Sequence, residues 1–164
     1  MKHPGIFICA VSLIIPSLAY AGRTGDEIKI YATGRDIQSI VEDVNSQIAP
    51  KSLTLRIVDE ESDADVDVTF QDDIGNPVAD AVSYTYRGHI YIANSAPADS
   101  LSFILLHELL HCAGVDHESN DPTSIMFTHT HTHGQLKEWH LRNLRRLAGV
   151  TAPERFVAQL RVLL

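Results

Sequence analysis

Residues 105–117 read LLHELLHCAGVDH and hold three histidines and one glutamate at chemically meaningful spacings. His107 and His111 are four apart, so a helix stacks them on one face, one turn above the other, where both imidazoles can reach one ion. Glu108 follows the first histidine, about 100° further round the helix. There its carboxylate can reach a water on that ion without being a ligand itself. Gly114, three residues beyond His111, can take the positive φ that ends a helix and turns the chain back. The turn can then bring His117 to the same ion. Three histidines with an open fourth position form the donor set of catalytic rather than structural zinc.

Working outward, nearly every position from 101 to 113 except His107, Glu108 and His111 is apolar. A helix apolar on nearly all sides is buried between layers. Charged and polar groups in it are costly unless something satisfies them, and a zinc ion with its water does so. A shuffled chain of this composition shows His-Glu-x-x-His-x-x-Gly-x-x-His roughly once in ten thousand trials. The bare His-Glu-x-x-His core would be far weaker, since helical histidines four apart often sit on a solvated or core face.

With Ser124-Ile125-Met126-Phe127 downstream, the full string resembles the metzincin clan of zinc peptidases. Gly114-Val115-Asp116-His117 and the short interval to Met126 are most similar to the matrixin branch. The resemblance implies an α+β zincin/metzincin fold, a twisted mixed sheet of about five strands with a covering helix, a buried active-site helix and a C-terminal helical part. It also implies one catalytic Zn2+ on His107, His111 and His117, Glu108 as general base, and a Met-turn at Met126 flooring the site. An extended peptide substrate would add antiparallel to Ala81, Val82, Ser83, Tyr84, Thr85 and Tyr86. An ordinary hairpin arm is the other reading of that stretch.

This chain departs from the matrixin pattern in three places, and from some other metzincins in a fourth. The turn after Tyr86 is only Arg87-Gly88, with no long metal-binding loop, and His89 has no obvious partners, which argues against a second, structural zinc. The usual Pro after the Met-turn is replaced by Thr-His repeats. No tyrosine stands where some metzincins place one after the Met-turn. The stretch from Gly22 to the first strand is too short for an inhibitory propeptide and has no cysteine, so the enzyme is secreted active or a separate protein inhibitor restrains it.

At 164 residues with 45% hydrophobic content, the chain suffices for one packed domain. Residues 1–21 carry Lys2, an apolar run from Ile6 to Leu18 and a terminal Ala19-Tyr20-Ala21, the pattern of a cleaved secretory signal. The apolar run is short and broken by Pro16, so a retained membrane anchor is disfavoured. Residues 22–164 then form a single metzincin-like catalytic domain, secreted or periplasmic. Signal removal takes the formal charge from −8 to −9, which disfavours nucleic acid and anionic membranes as partners. Cys112 alone remains, so no intrachain disulfide forms. It points about 100° away from His111 on a helix and reads as a small core residue.

Taken in order, EIKIYAT at 27–33 alternates as a strand, and Ile37, Ile40, Val41, Val44 and Ile48 form the stripe of an amphipathic helix that covers the sheet. Leu53, Leu55 and Ile57 alternate in a second strand, and Val66, Val68 and Phe70 in a third. The acids Asp59, Glu60, Glu61, Asp63, Asp65, Asp67, Asp72 and Asp73 lack the compact spacing of a Ca2+ loop, so a solvated acidic face is preferred to a calcium site. Val82, Tyr84 and Tyr86, then Ile90 and Ile92, alternate on either side of Arg87-Gly88 as a hairpin.

His129, His131 and His133 lie where matrixins build a specificity-pocket wall. A solvated loop or an accessory metal site are the other readings. Leu136, His140, Leu144 and Leu147 mark a late helix, and Pro153 opens a last amphipathic segment. The leading expectation is a secreted zinc endopeptidase in which metal-activated water attacks a peptide bond with Glu108 as base. A catalytically silent zinc-binding, adhesion or effector module is the alternative. Retention of Glu108 counts against it.

Overall fold

Alternation decides the first strand, β1 (Glu27–Thr33), where Ile28 and Ile30 are wholly buried between more exposed neighbours. The computed structural model describes residues 26–75, 79–84, 88–127 and 134–148. The signal-like residues 1–21, Arg87, the Thr-His tract at 128–133 and the segment from Pro153 lie outside them.

After β1 the apolar period changes to that of a helix, α1 (Gln38–Ile48). The Asp36 carboxylate accepts the Gln38 backbone N–H at 2.9 Å, which satisfies one of the amides that a helix start leaves open. The predicted stripe, Ile37, Ile40, Val41, Val44 and Ile48, is buried. α1 is the crossover to β2 (Thr54–Ile57), which pairs parallel to β1. Asn45 locks helix to strand: its Nδ2 donates to the Leu55 carbonyl at 2.9 Å and its Oδ1 accepts the Leu55 N–H at 2.7 Å.

β3 (Val66–Gln71) lies parallel on the other side of β1, and β5 (His89–Ala93) lies parallel to β3. β4 (Ala81–Tyr84) returns antiparallel to β5, giving one mixed five-stranded sheet in the order β2-β1-β3-β5-β4. β4 is therefore a sheet edge. The described part of this ladder runs from Ala81 opposite Ile92 to Tyr84 opposite His89, and the expected turn at Arg87-Gly88 lies partly outside the described residues.

Among the described residues two further α-helices follow in the α+β fold, α2 (Leu101–Cys112) and α3 (Glu138–Leu144). α1 lies over β2, α2 over β4 and β5, and the two helices touch, so both cover the same face of the sheet. Leu105, Leu106, Leu109 and Leu110 are essentially fully buried. Each such leucine contributes about 1.5–3 kcal/mol relative to exposure, which anchors α2 in the core and leaves the His107–His111 side only partly covered. α3 packs on α2 through Leu141 and Leu144, also buried.

The acidic stretch corrects one expectation. Asp59, Glu60, Glu61, Asp63, Asp72 and Asp73 are exposed, but Asp65 and Asp67 are buried. The alternation that sends Val66 and Val68 into the core turns both aspartates to the opposite face, where they meet polar partners. Asp65 Oδ2 accepts the Lys29 backbone N–H at 2.8 Å, and Asp67 Oδ2 lies 3.3 Å from His89 Nδ1. His89 thus has a partner that its sequence neighbourhood does not show, because the β3–β5 register sets Asp67 beside it.

Candidate metal centre

α2 ends where a glycine allows it. Gly114 has φ +81, its N–H donates to the His111 carbonyl at 2.9 Å, and the next N–H, that of Val115, reaches back to the Leu110 carbonyl at 3.0 Å. This pair of bonds is a Schellman ending, with buried Val115 and Leu110 supplying its apolar contact. The reversed chain then returns His117 to the side of α2 that carries His107 and His111.

The three imidazoles converge. His107 Nε2 is 3.1 Å from His111 Nε2 and 3.3 Å from His117 Nε2, and His111 Nε2 is 3.2 Å from His117 Nε2. Tetrahedral zinc with Zn–N of about 2.0–2.1 Å needs its nitrogens about 3.3 Å apart. The other ring nitrogens decide what those three atoms carry. His107 Nδ1 lies 2.9 Å from the Ile125 carbonyl and His111 Nδ1 lies 2.8 Å from the Val115 carbonyl. A carbonyl only accepts, so each Nδ1 holds the proton and each neutral ring turns a bare lone pair inward. Lone pairs this close repel unless a cation lies among them, and the donor set therefore fits zinc.

The chain after His117 is built to support this geometry. The Glu118 N–H donates to the Met126 carbonyl at 2.7 Å, and the Ile125 N–H donates to the Gln135 carbonyl at 3.2 Å. The segment around Met126 is thereby held from both sides. Met126 is fully buried, as a floor requires. The hydrogen-bond acceptor for His107 comes from its neighbour, Ile125. Phe103, one turn before His107 on α2, stacks on that ring with centroids 6.2 Å apart.

Glu108 is 7% exposed and faces β4, where the Ser83 hydroxyl hydrogen-bonds its carboxylate. Burial pushes the carboxyl above its ordinary 4.5, opposed by that hydrogen bond and by nearby His111. Ser83 lies in the strand expected to take the substrate's backbone, and its side chain bonds Glu108. Ala81, Val82, Ser83 and Tyr84 form the edge strand, whereas Thr85 and Tyr86 lie outside the described residues. Sequence reasoning missed Ile125, Val115, Phe103 and the Ser83 bond. Only Phe103, four residues before His107, carried a spacing signal.

Below His117, Lys137 Nζ lies 2.5 Å from Asp121 Oδ2 and 3.3 Å from Glu118 Oε2. The Ser124 hydroxyl and Lys137 hold the Glu118 carboxyl below its ordinary range, and Lys137 with Thr123 does the same for Asp121. Buried His140 stands beside this group, its Nε2 3.9 Å from Glu118 Oε2.

Fold and site together define a class: an α+β protein whose buried helix and following turn present three histidines as a candidate zinc centre. No protein-family model matches the chain, and no curated protein matches it. Among solved structures it is similar to a zinc-dependent peptidase from Methanocorpusculum labreanum (strain Z), at 13% identity and a TM-score of 0.47, over 71% of this chain and 99% of that one. Likeness this remote transfers no function, so the chemistry rests on the donor geometry above.

Proposed function

We propose that the protein is a zinc-dependent endopeptidase of metzincin type. The observation that carries this is the three inward Nε2 atoms, mutually 3.1–3.3 Å apart, with two of the rings locked in the ligating tautomer by backbone carbonyls. When bound, zinc supplies Lewis acidity, acidifying water towards a pKa of about 7 and polarising a carbonyl.

The chain's own groups supply the rest. Glu108, one residue after a ligand and held by Ser83, takes the proton of the attacking water and returns it to the departing amine. Its burial suits it to that exchange, since a carboxylate out of bulk water is a stronger proton acceptor. β4, the sheet edge against α2, offers backbone N–H and carbonyl groups to an extended peptide, which fixes the scissile bond with little demand on side chains. The matrixin branch is the finer assignment, supported by the residues from Gly114 to His117 and by the interval to Met126. Export is supported by the signal-like composition of residues 1–21.

Metal analysis after dialysis and turnover of an unstructured protein such as casein test this together. Wild type should retain stoichiometric zinc and cleave, and Glu108→Ala should keep the zinc and the fold while losing cleavage. Cleavage surviving in the purified variant would remove Glu108 as the base. A wild-type protein that holds zinc and cleaves nothing across a peptide library would establish the silent-module alternative.

A further inference from the structure

His107 and His111 take their spacing from one helix, whereas His117 lies beyond its end. It is the exposed member of the three and sits on a loop, so its position depends on what holds the chain at either end of residues 114–118. The Schellman ending fixes one end. At the other, the Glu118 N–H donates to the Met126 carbonyl at 2.7 Å, and its carboxylate, which the Ser124 hydroxyl also holds, meets Lys137 Nζ at 3.3 Å. The same Nζ lies 2.5 Å from Asp121 Oδ2, and Asp121 Oδ1 in turn accepts the Thr123 N–H at 2.9 Å and hydroxyl at 2.6 Å. One ammonium group therefore ties the residue after His117 to the turn that leads into Ser124–Met126.

The clamp also has a firm base. Lys137 stands at the start of α3, its carbonyl accepting the His140 and Leu141 N–H groups at 3.0 and 3.3 Å and its own N–H donating to His140 Nδ1 at 3.0 Å. His140, Leu141 and Leu144 are fully buried. α3 thus belongs to the core, and Lys137 reaches from it to the loop that carries the third histidine.

We propose that Lys137 is a positioning residue for zinc: by clamping Glu118 and Asp121 it holds His117 where its Nε2 meets those of His107 and His111. This rests on the zinc-peptidase reading of the site. A partly exposed ion pair adds little to global stability, so its effect belongs in metal affinity rather than in the melting temperature. Outer groups that orient a ligand alter metal affinity by about 10–100-fold.

The test is zinc affinity by competition with a chromophoric chelator, alongside melting of the metal-free protein. Lys137→Met should weaken zinc binding about tenfold or more, with Lys137→Arg recovering most of the loss and the metal-free melting temperature nearly unchanged. Glu118→Gln should act in the same direction, and the double variant should be no worse than Lys137→Met, because both singles remove the Lys137–Glu118 pair. If Lys137→Met does not fold, Glu118→Gln alone decides the matter. Affinity within about twofold of wild type in the folded variants, or losses that simply multiply in the double variant, would overturn the clamp. A wild-type protein that takes up no zinc overturns the metal centre itself and is read separately in the same assay.

Discussion

The Nδ1 of His107 lies 2.9 Å from the carbonyl oxygen of Ile125, a residue eighteen positions further along the chain. That one bond joins the helix carrying the first ligand to the segment beneath the site. It makes the orientation of His107 depend on where the backbone of Ile125 lies, and Gly134 controls that. A Cβ placed on Gly134 would fall 2.6 Å from Ile125 N and 2.9 Å from the Ser124 carbonyl carbon, both rigid backbone atoms.

Gly134→Ala should therefore push Ile125 away and loosen His107. The expected outcome is a stability loss of about 1–3 kcal/mol from the steric conflict, seen by urea denaturation of metal-free protein. Zinc affinity should fall about tenfold in the same variant. Unchanged zinc affinity would show that the Ile125 carbonyl does not orient the ligand.

Ser83 is the second lever on the site. Because its hydroxyl bonds the buried Glu108 carboxylate, Ser83→Ala should lower kcat by up to about tenfold, the worth of one hydrogen bond. Zinc content should not change, since the three inward nitrogens belong to α2 and the loop that follows it. Ser83→Thr, which keeps a hydroxyl, should recover much of the rate. A loss confined to KM would instead assign Ser83 to substrate binding, as the sequence first suggested.

His140 gives the fold a pH dependence of its own. Burial lowers its pKa below the ordinary 6.5, with Glu118 opposing and Lys137 reinforcing the shift. Above that value both folded and unfolded chains are neutral here and the contribution is constant. As pH falls through it, the unfolded chain takes up a proton that the folded chain resists, so stability is lost. Metal-free wild type should thus weaken between about pH 7 and 5, and His140→Gln should show a flatter profile over that range. Parallel profiles would place the titrating group elsewhere.

Much of this molecule is legible from local pattern. β1 and α1 follow from the change of apolar period between Ile30 and Ile37, because side-chain direction repeats every two residues in a strand and every 3.6 in a helix. The positive φ of Gly114 follows from its place after a helical run. The spacing of His107, Glu108 and His111 sets their relative directions before any tertiary contact forms.

What local pattern does not contain is anything supplied by a backbone atom or by a distant register. The carbonyls of Ile125 and Val115 that fix the imidazole tautomers have no residue-type signature, since every residue owns one. Asp65 and Asp67 look like solvent-facing acids in a run of acids, and only pairing with β1 and β5 buries them against Lys29 and His89. Ser83 meets Glu108 because β4 lies at the sheet edge under α2, and Lys137 meets Glu118 because α3 packs on that same helix. Sequence alone determined which groups can act, through spacing along one backbone; the tertiary structure decided which distant groups hold them in place, because only packing brings such atoms within hydrogen-bond range.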